Sequence, residues 1–232
     1  MQSKFTVSTL GIVHSPYKEK FAIPRQPGLV TAAKGFIDIN CGQDGQDMVQ
    51  GLEGFSHIWV LFMFHQTLPH GWKTKVKPPR LGGNKKIGVL ATRSTFRPNG
   101  IGMSVVALEN IELTTQGARL HISGLDLLDQ TPVVDIKPYI GYSDSISHAD
   151  SGFADEAPKN ALTVLFEEKA ELRAKAHAEP LFEMIQQVLT QDPRPAYRQG
   201  KPDEKTYGMR LFDVNVTFAF MSLTRVKVLA IE

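Results

Sequence analysis

A chain of 232 residues, 42% of them apolar, is long enough for one large domain or a medium domain plus a small one, and its composition is neither collagenous nor disordered throughout. Its net charge of +2 says little alone, but its single cysteine, Cys41, excludes an intrachain disulfide and a cysteine-built zinc site. The longest apolar run, 58–64, is too short to cross a bilayer, and the first residues lack the apolar stretch of a secretory signal, so a soluble cytoplasmic protein without a membrane partner is expected.

Up to residue 142 the chain reads as short strands separated by Gly and Pro. Residues 5–13 alternate as a first strand that stops at Ser15 and Pro16, and 35–39 form a second. Residues 40–52, with Met48, Val49 and Leu52 at helical spacing, predict one short helix across a barrel end. The run 56–64 is apolar on successive residues, as in a strand covered on both faces, although period alone leaves a helix open. Strands at 87–93, 105–113, 118–123 and 133–138 follow. Short strands with no long helix between them favour a closed or nearly closed antiparallel barrel, so the fold is expected to be mainly β.

Residues 144–160 are polar and read as a linker or long surface loop. Beyond them come a strand at 162–166, helices at 167–177 and 180–189, and strands at 207–212, 214–221 and 226–231. Pro180 suits a first helical turn, and Leu181, Ile185 and Val188 mark one apolar face. The predicted division is therefore a barrel domain at 1–145, a linker at 146–160 and a small α/β domain at 161–232.

Charge is distributed unevenly. No acid occurs between Glu53 and Glu109, where the average acid content predicts about five or six, while Lys73, Lys75, Lys77, Arg80, Lys85, Lys86, Arg93 and Arg97 all lie there. Such a stretch attracts phosphate-rich partners, or it is a solvated face balanced by acids elsewhere. Phosphate-loop glycine patterns and a Gly-x-Ser-x-Gly elbow are absent. His57 and His65 lack a third ligand in register, which favours hydrogen-bonding histidines over a metal centre.

Four polar clusters at strand ends remain. Pro24-Arg25-Gln26-Pro27-Gly28 pins two planar hydrogen-bonding groups between prolines, a pairing suited to a nucleobase edge, carboxylate or phosphate. His65 and Gln66 follow the apolar strand. Residues 91–103 place Arg93 and Arg97 on either side of Phe96, and residues 125–139 embed three acids in apolar sequence. Each has a structural reading too: surface ion pairs, turn-shaping Asp residues, or buried partners for the arginines.

These residues resemble the TrmO family. The resemblance rests on Gly11-Ile12-Val13-His14-Ser15-Pro16-Tyr17, Pro24-Arg25-Gln26-Pro27-Gly28, Gly54-Phe55-Ser56-His57-Ile58-Trp59, Phe64-His65-Gln66, Pro78-Pro79-Arg80-Leu81-Gly82-Gly83, Ala91-Thr92-Arg93-Ser94, Phe96-Arg97-Pro98-Asn99 and Asp135-Ile136-Lys137-Pro138-Tyr139. It continues through Asp192-Pro193-Arg194-Pro195-Ala196-Tyr197-Arg198 and Asp213-Val214-Asn215-Val216, so it covers nearly the whole chain. The family implies a homodimeric methyltransferase whose barrel binds S-adenosylmethionine and methylates N6-threonylcarbamoyladenosine at position 37, beside the anticodon of threonine-accepting tRNA. No DNA partner is implied.

Carried over by motif, Pro24, Arg25, Gln26, His65, Gln66, Arg93, Met103, Asp126, Leu127, Leu128 and Asp129 are expected to hold the cofactor. His65 is the candidate general base. Arg80, Arg97, Arg194, Tyr197 and Arg198 are assigned to the RNA, with Phe96 and Trp72 as aromatic platforms if they are not core. Two positions depart from the family pattern, which predicts Pro at Gly100 and Gly at Gln130. Deleting everything after Asp150 is expected to harm RNA methylation more than cofactor binding. A non-catalytic RNA-binding barrel, or a methyltransferase for a small molecule or protein, stays open as an alternative.

Overall fold

The computed structural model describes residues 4–155, 162–195, 197–201 and 203–232. Its first eight strands are β1 (Gly11–His14), β2 (Lys34–Ile39), β3 (His57–Met63), β4 (Lys75–Val76), β5 (Ile87–Gly88), β6 (Ile101–Thr114), β7 (Gly117–Ser123) and β8 (Pro132–Pro138). Six close an antiparallel barrel in the order β1–β2–β7–β6–β3–β8, and β4 and β5 form a separate ribbon. Closure leaves the barrel without a free edge.

Alternation, rather than burial on both faces, organises β3: Ile58, Val60 and Phe62 are buried, and the residues between them face outward. With Val13, Ile37, Val106, Leu120, Ile122 and Val133 they belong to the core, so the barrel interior is packed side chains rather than a channel. The predicted strand at 5–13 shrinks to β1, because upstream of Gly11 the chain runs past the end of β2, where Ile12 already faces Asp38. The predicted strand at 87–93 ends at Gly88. Thr92 then closes a turn, its N–H and Oγ1 both donating to the Val89 carbonyl.

The helix α1 (Gly42–Met48) lies against one barrel end. A side chain at Gly45 would meet the Ile39 carbonyl at 3.1 Å and the Gly117 Cα at 3.2 Å, so glycine gives this close approach without displacing backbone. Gln46 Nε2 donates to the Thr114 carbonyl at 2.8 Å. Val49 joins the core, but Met48, predicted on the same apolar face, is exposed.

At the other end of β6, Asn99 and Gly100 are consecutive left-handed residues, with φ of 65° and 62°. Proline cannot adopt that φ, so the family's proline does not suit this turn geometry. The Gly100 carbonyl accepts from Phe64 N–H at 2.8 Å, tying the turn to the end of β3.

After α2 (Gly141–Asp144), an exposed polar segment runs to residue 155; the rest of the predicted linker, 156–160, lies outside the described residues. The C-terminal part comprises β9 (Thr163–Phe166), α3 (Glu168–Lys175), α4 (Leu181–Thr190), β10 (Thr206–Leu211), β11 (Val214–Phe220) and β12 (Arg225–Ile231). Its sheet order is β10–β11–β12–β9, with β9 parallel to β12. Leu181, Met184, Ile185, Val188 and Leu189 form the buried face of α4, and Pro180 sits at its N-cap rather than in its first turn.

Candidate functional site

Five separated segments surround a cavity of about 620 Å³ at the barrel rim. They are residues 23–27 between β1 and β2, the end of β3 with 64–67 beyond it, the segment from Thr92 to Arg97, the start of β6, and the turn from Asp126 to Leu128. Local chemistry shapes each. Gly28, at a φ of 77°, donates its N–H to the Gly124 carbonyl, which turns the loop carrying Pro24, Arg25 and Gln26 back onto the barrel. The arginine segment is folded on its own hydroxyls: Ser94 N–H donates to Thr92 Oγ1, and Phe96 N–H to Ser94 Oγ, both at 3.2 Å.

The predicted clusters meet here. Arg93 Nη1 donates to Gln26 Oε1 at 2.6 Å, linking two motifs 67 residues apart. Arg97 donates to the Thr92 carbonyl at 3.0 Å. His65, Gln66, Met103, Leu127 and Leu128 complete the expected lining. Ser104 Oγ donates to Asp126 Oδ1 at 2.6 Å. Burial pushes the Asp126 carboxyl up to about 6, opposed by this hydrogen bond and by the charge of Arg93. Arg25 is partly desolvated, which lowers its pKa; nearby Asp192 supports its charge and Arg80 opposes it.

Asp129 does not line the cavity. It accepts from Ser15 N–H at 2.9 Å and from Lys18 Nζ at 2.8 Å, so it braces the start of the β1–β2 connection. Although burial alone would raise it, these partners hold its carboxyl below the usual range. Arg80 is outside the lining, though its charge is felt at Arg25.

Arg194 is not a surface cation. It is 1% exposed, is paired through Nε and Nη2 with Asp192 at 2.8 and 2.7 Å, and stacks over Phe220 at 3.6 Å. Arg198 pairs with Asp203 at 3.4 Å, and Tyr197 is exposed beside it. Trp72 is 59% exposed, whereas Lys73 covers the ring of half-buried Phe96. The cavity also contains Lys20, Phe62 and Ser104, which sequence reasoning missed. The signal for Ser104 is its inward place on β6, readable only once Ser104 is known to pair with Val60.

The fold and cavity define a β-barrel protein whose rim cavity combines arginines able to hold anionic groups, apolar and aromatic walls suited to a flat ring, and one carboxylate suited to a cation. Among the described residues no group of three His, Cys, Asp or Glu side chains forms a metal-binding cluster, and no helix is long and apolar enough to cross a membrane. The models of the tRNA-methyltransferase O N-terminal domain and of the TrmO C-terminal domain match residues 12–145 and 159–232. The chain belongs to the TrmO family.

A tRNA (adenine(37)-N6)-methyltransferase of Escherichia coli K12 is 49% identical over 92% of this chain and 92% of its own length. A putative S-adenosylmethionine-dependent methyltransferase, RcsF, of Pseudomonas aeruginosa PAO1 is 47% identical over 97% of this chain and 96% of its own. The crystal structure of a TrmO from P. aeruginosa superposes with a TM-score of 0.83 at 40% identity, covering 100% of this chain and 98% of that one.

Proposed function

We propose that the chain is an S-adenosylmethionine-dependent methyltransferase acting on N6-threonylcarbamoyladenosine at position 37 of threonine-accepting tRNA, with its cofactor in the rim cavity. The observation that carries this reading is the convergence of Pro24–Gln26, His65, Gln66, Arg93, Met103 and Asp126–Leu128 on one cavity from five parts of the chain. The side chains suit that cofactor: Arg93 and Gln26 form a polar pair for its carboxylate, the apolar walls suit its adenine, and Asp126 complements its cationic groups.

When bound, the cofactor supplies an electrophilic methyl group for in-line displacement by a ring-attached nitrogen. The protein's own part is chiefly alignment. In this reading Arg97 holds the carboxylate of the threonyl group and His65 takes up the proton leaving the acceptor nitrogen; both line the cavity. That nitrogen is conjugated with the purine and the carbamoyl carbonyl, so its proton is more acidic than that of an ordinary amine. The basic stretch from Lys73 to Arg97 begins beside exposed Trp72 and runs into the cavity wall, as a docking surface for an unpaired RNA loop requires.

A homodimer in the cytoplasm is part of the same reading. Met103 and Ile101 on the outer face of β6, 50% and 40% exposed, pair with Leu61 and Met63 of β3, and because all four also line the cavity, a second copy covering this strip would close the cofactor site from outside. The test is incubation of the protein with labelled cofactor and tRNA carrying or lacking the threonylcarbamoyl group. Label on the modified tRNA alone is the expected result. Equal label on both, or label on a protein instead, overturns the substrate assignment.

A further inference from the structure

The segment that carries Pro24, Arg25 and Gln26 is an arch of residues 15–33 between β1 and β2, and the barrel holds only part of it. Near the first foot, Phe212 N–H donates to the Pro16 carbonyl at 2.8 Å, Tyr17 bridges to Leu211, and Arg210 N–H donates to Glu19 Oε1 at 3.1 Å. Phe21 stacks on Tyr207 and Phe218 with centroids 5.9 and 6.3 Å apart. At the second foot, two glutamines of α4 and its C-terminal end take over. Gln187 Oε1 accepts from Ala32 N–H at 3.0 Å while its Nε2 donates to Thr31 Oγ1 at 3.2 Å. Gln191 Nε2 donates to the Leu29 carbonyl at 2.9 Å and to the Gln187 carbonyl at 3.1 Å. Between these feet, the carboxylate of Asp192 lies within electrostatic reach of Arg25.

We infer that the C-terminal domain is a working part of the cofactor site: Gln187 and Gln191 are positioning residues that clamp the arch so that Arg25 and Gln26 face the cavity. The inference rests on the reading that S-adenosylmethionine occupies the rim cavity. Its physical basis is preorganisation. A loop of this length held only at its strand ends samples many conformations, and ordering it on binding weakens affinity; the three glutamine hydrogen bonds that fix it beforehand remove part of that loss. The residues are exposed or half-buried, so removing them leaves the domain core intact. Deletion of everything after Asp150, expected from sequence to harm RNA methylation more than cofactor binding, removes both supports and is expected to weaken cofactor binding as well.

The test uses the full chain carrying Q187A together with Q191A. Titration calorimetry with S-adenosylmethionine, without RNA, is expected to show a dissociation constant raised about tenfold. Filter binding of tRNA should change by less than about twofold, because no RNA contact is removed. Q187E, which keeps the acceptor for Ala32 N–H, should retain most of the affinity, and Thr31→Val, which loosens the arch without touching α4, should lose part of it. Equal loss of cofactor and tRNA affinity, or unchanged cofactor affinity in both Q187A/Q191A and Thr31→Val, overturns the clamp. Failure of the parent chain to bind the cofactor at all overturns the site assignment instead.

Discussion

Ser104, inward-facing on β6, donates its hydroxyl to Asp126 across 2.6 Å, so the cavity's one carboxylate is held by a barrel strand rather than by an arginine. Desolvation still dominates and places that carboxyl at about 6 in the folded protein, against 3.8 ordinarily. The folded state therefore keeps a proton that the unfolded chain releases. Stability falls as pH rises from about 4 to about 6 and stays lower above that range. Asp126→Asn should be more stable than the parent by about 1–3 kcal/mol at pH 7.5, and nearly equal to it at pH 4. Urea melts at both pH values check this; a difference independent of pH refutes it. The same variant should bind S-adenosylmethionine more weakly at pH 7.5, having lost the negative charge opposite a cation.

Arg194 predicts a stability defect and not an RNA defect. Removing it leaves Asp192 buried and without its main partner, a loss of about 3–5 kcal/mol. Lysine should rescue little, since it supplies neither the paired donors nor the flat face laid over Phe220. Thermal melts of Arg194→Ala and Arg194→Lys test this, and tRNA affinity of the folded fraction should remain that of the parent.

Much of this was legible from residues alone, for identifiable reasons. Alternation located β2, β7 and β8 because each barrel strand has one core face, and Gly and Pro marked the loops that became the cavity wall. The partnership of Ser104 with Asp126 was not legible, because it depends on which strands pair. Nor was the clamp, which joins residues 155 positions apart, Gln187 and Ala32. Arg194 was misplaced, because a charged side chain can be buried once paired and stacked, whereas Trp72, left open as platform or core, lies in solvent.

Gln130 is exposed and left-handed, with a φ of 62°, at the position where the family pattern predicts glycine. Gln130→Gly relieves the steric cost of that conformation but enlarges the freedom of the unfolded chain. The net gain should be about 0.5–1 kcal/mol, or about 2–3 °C in melting temperature. Differential scanning calorimetry decides it, and a lower melting temperature counts against the backbone-strain account.

The basic stretch is expected to act on RNA through its phosphates. Replacing Lys85 and Lys86 by alanine should weaken binding of all tRNAs alike and reduce the slope of log affinity against log salt by about 1–2. Affinities measured from low to moderate salt, on cognate and non-cognate tRNA, give that slope. Loss confined to one tRNA would show base reading instead.

Cys41 is the chain's sole thiol, it is exposed, and it opens the short helix that stoppers the barrel at the opposite end of β6 from the cavity. A maleimide dye will therefore attach at one known point, at the end of β6 remote from the cavity. The protein thus carries its own fluorescent handle, and RNA docking can be timed without engineering a reporter into the site.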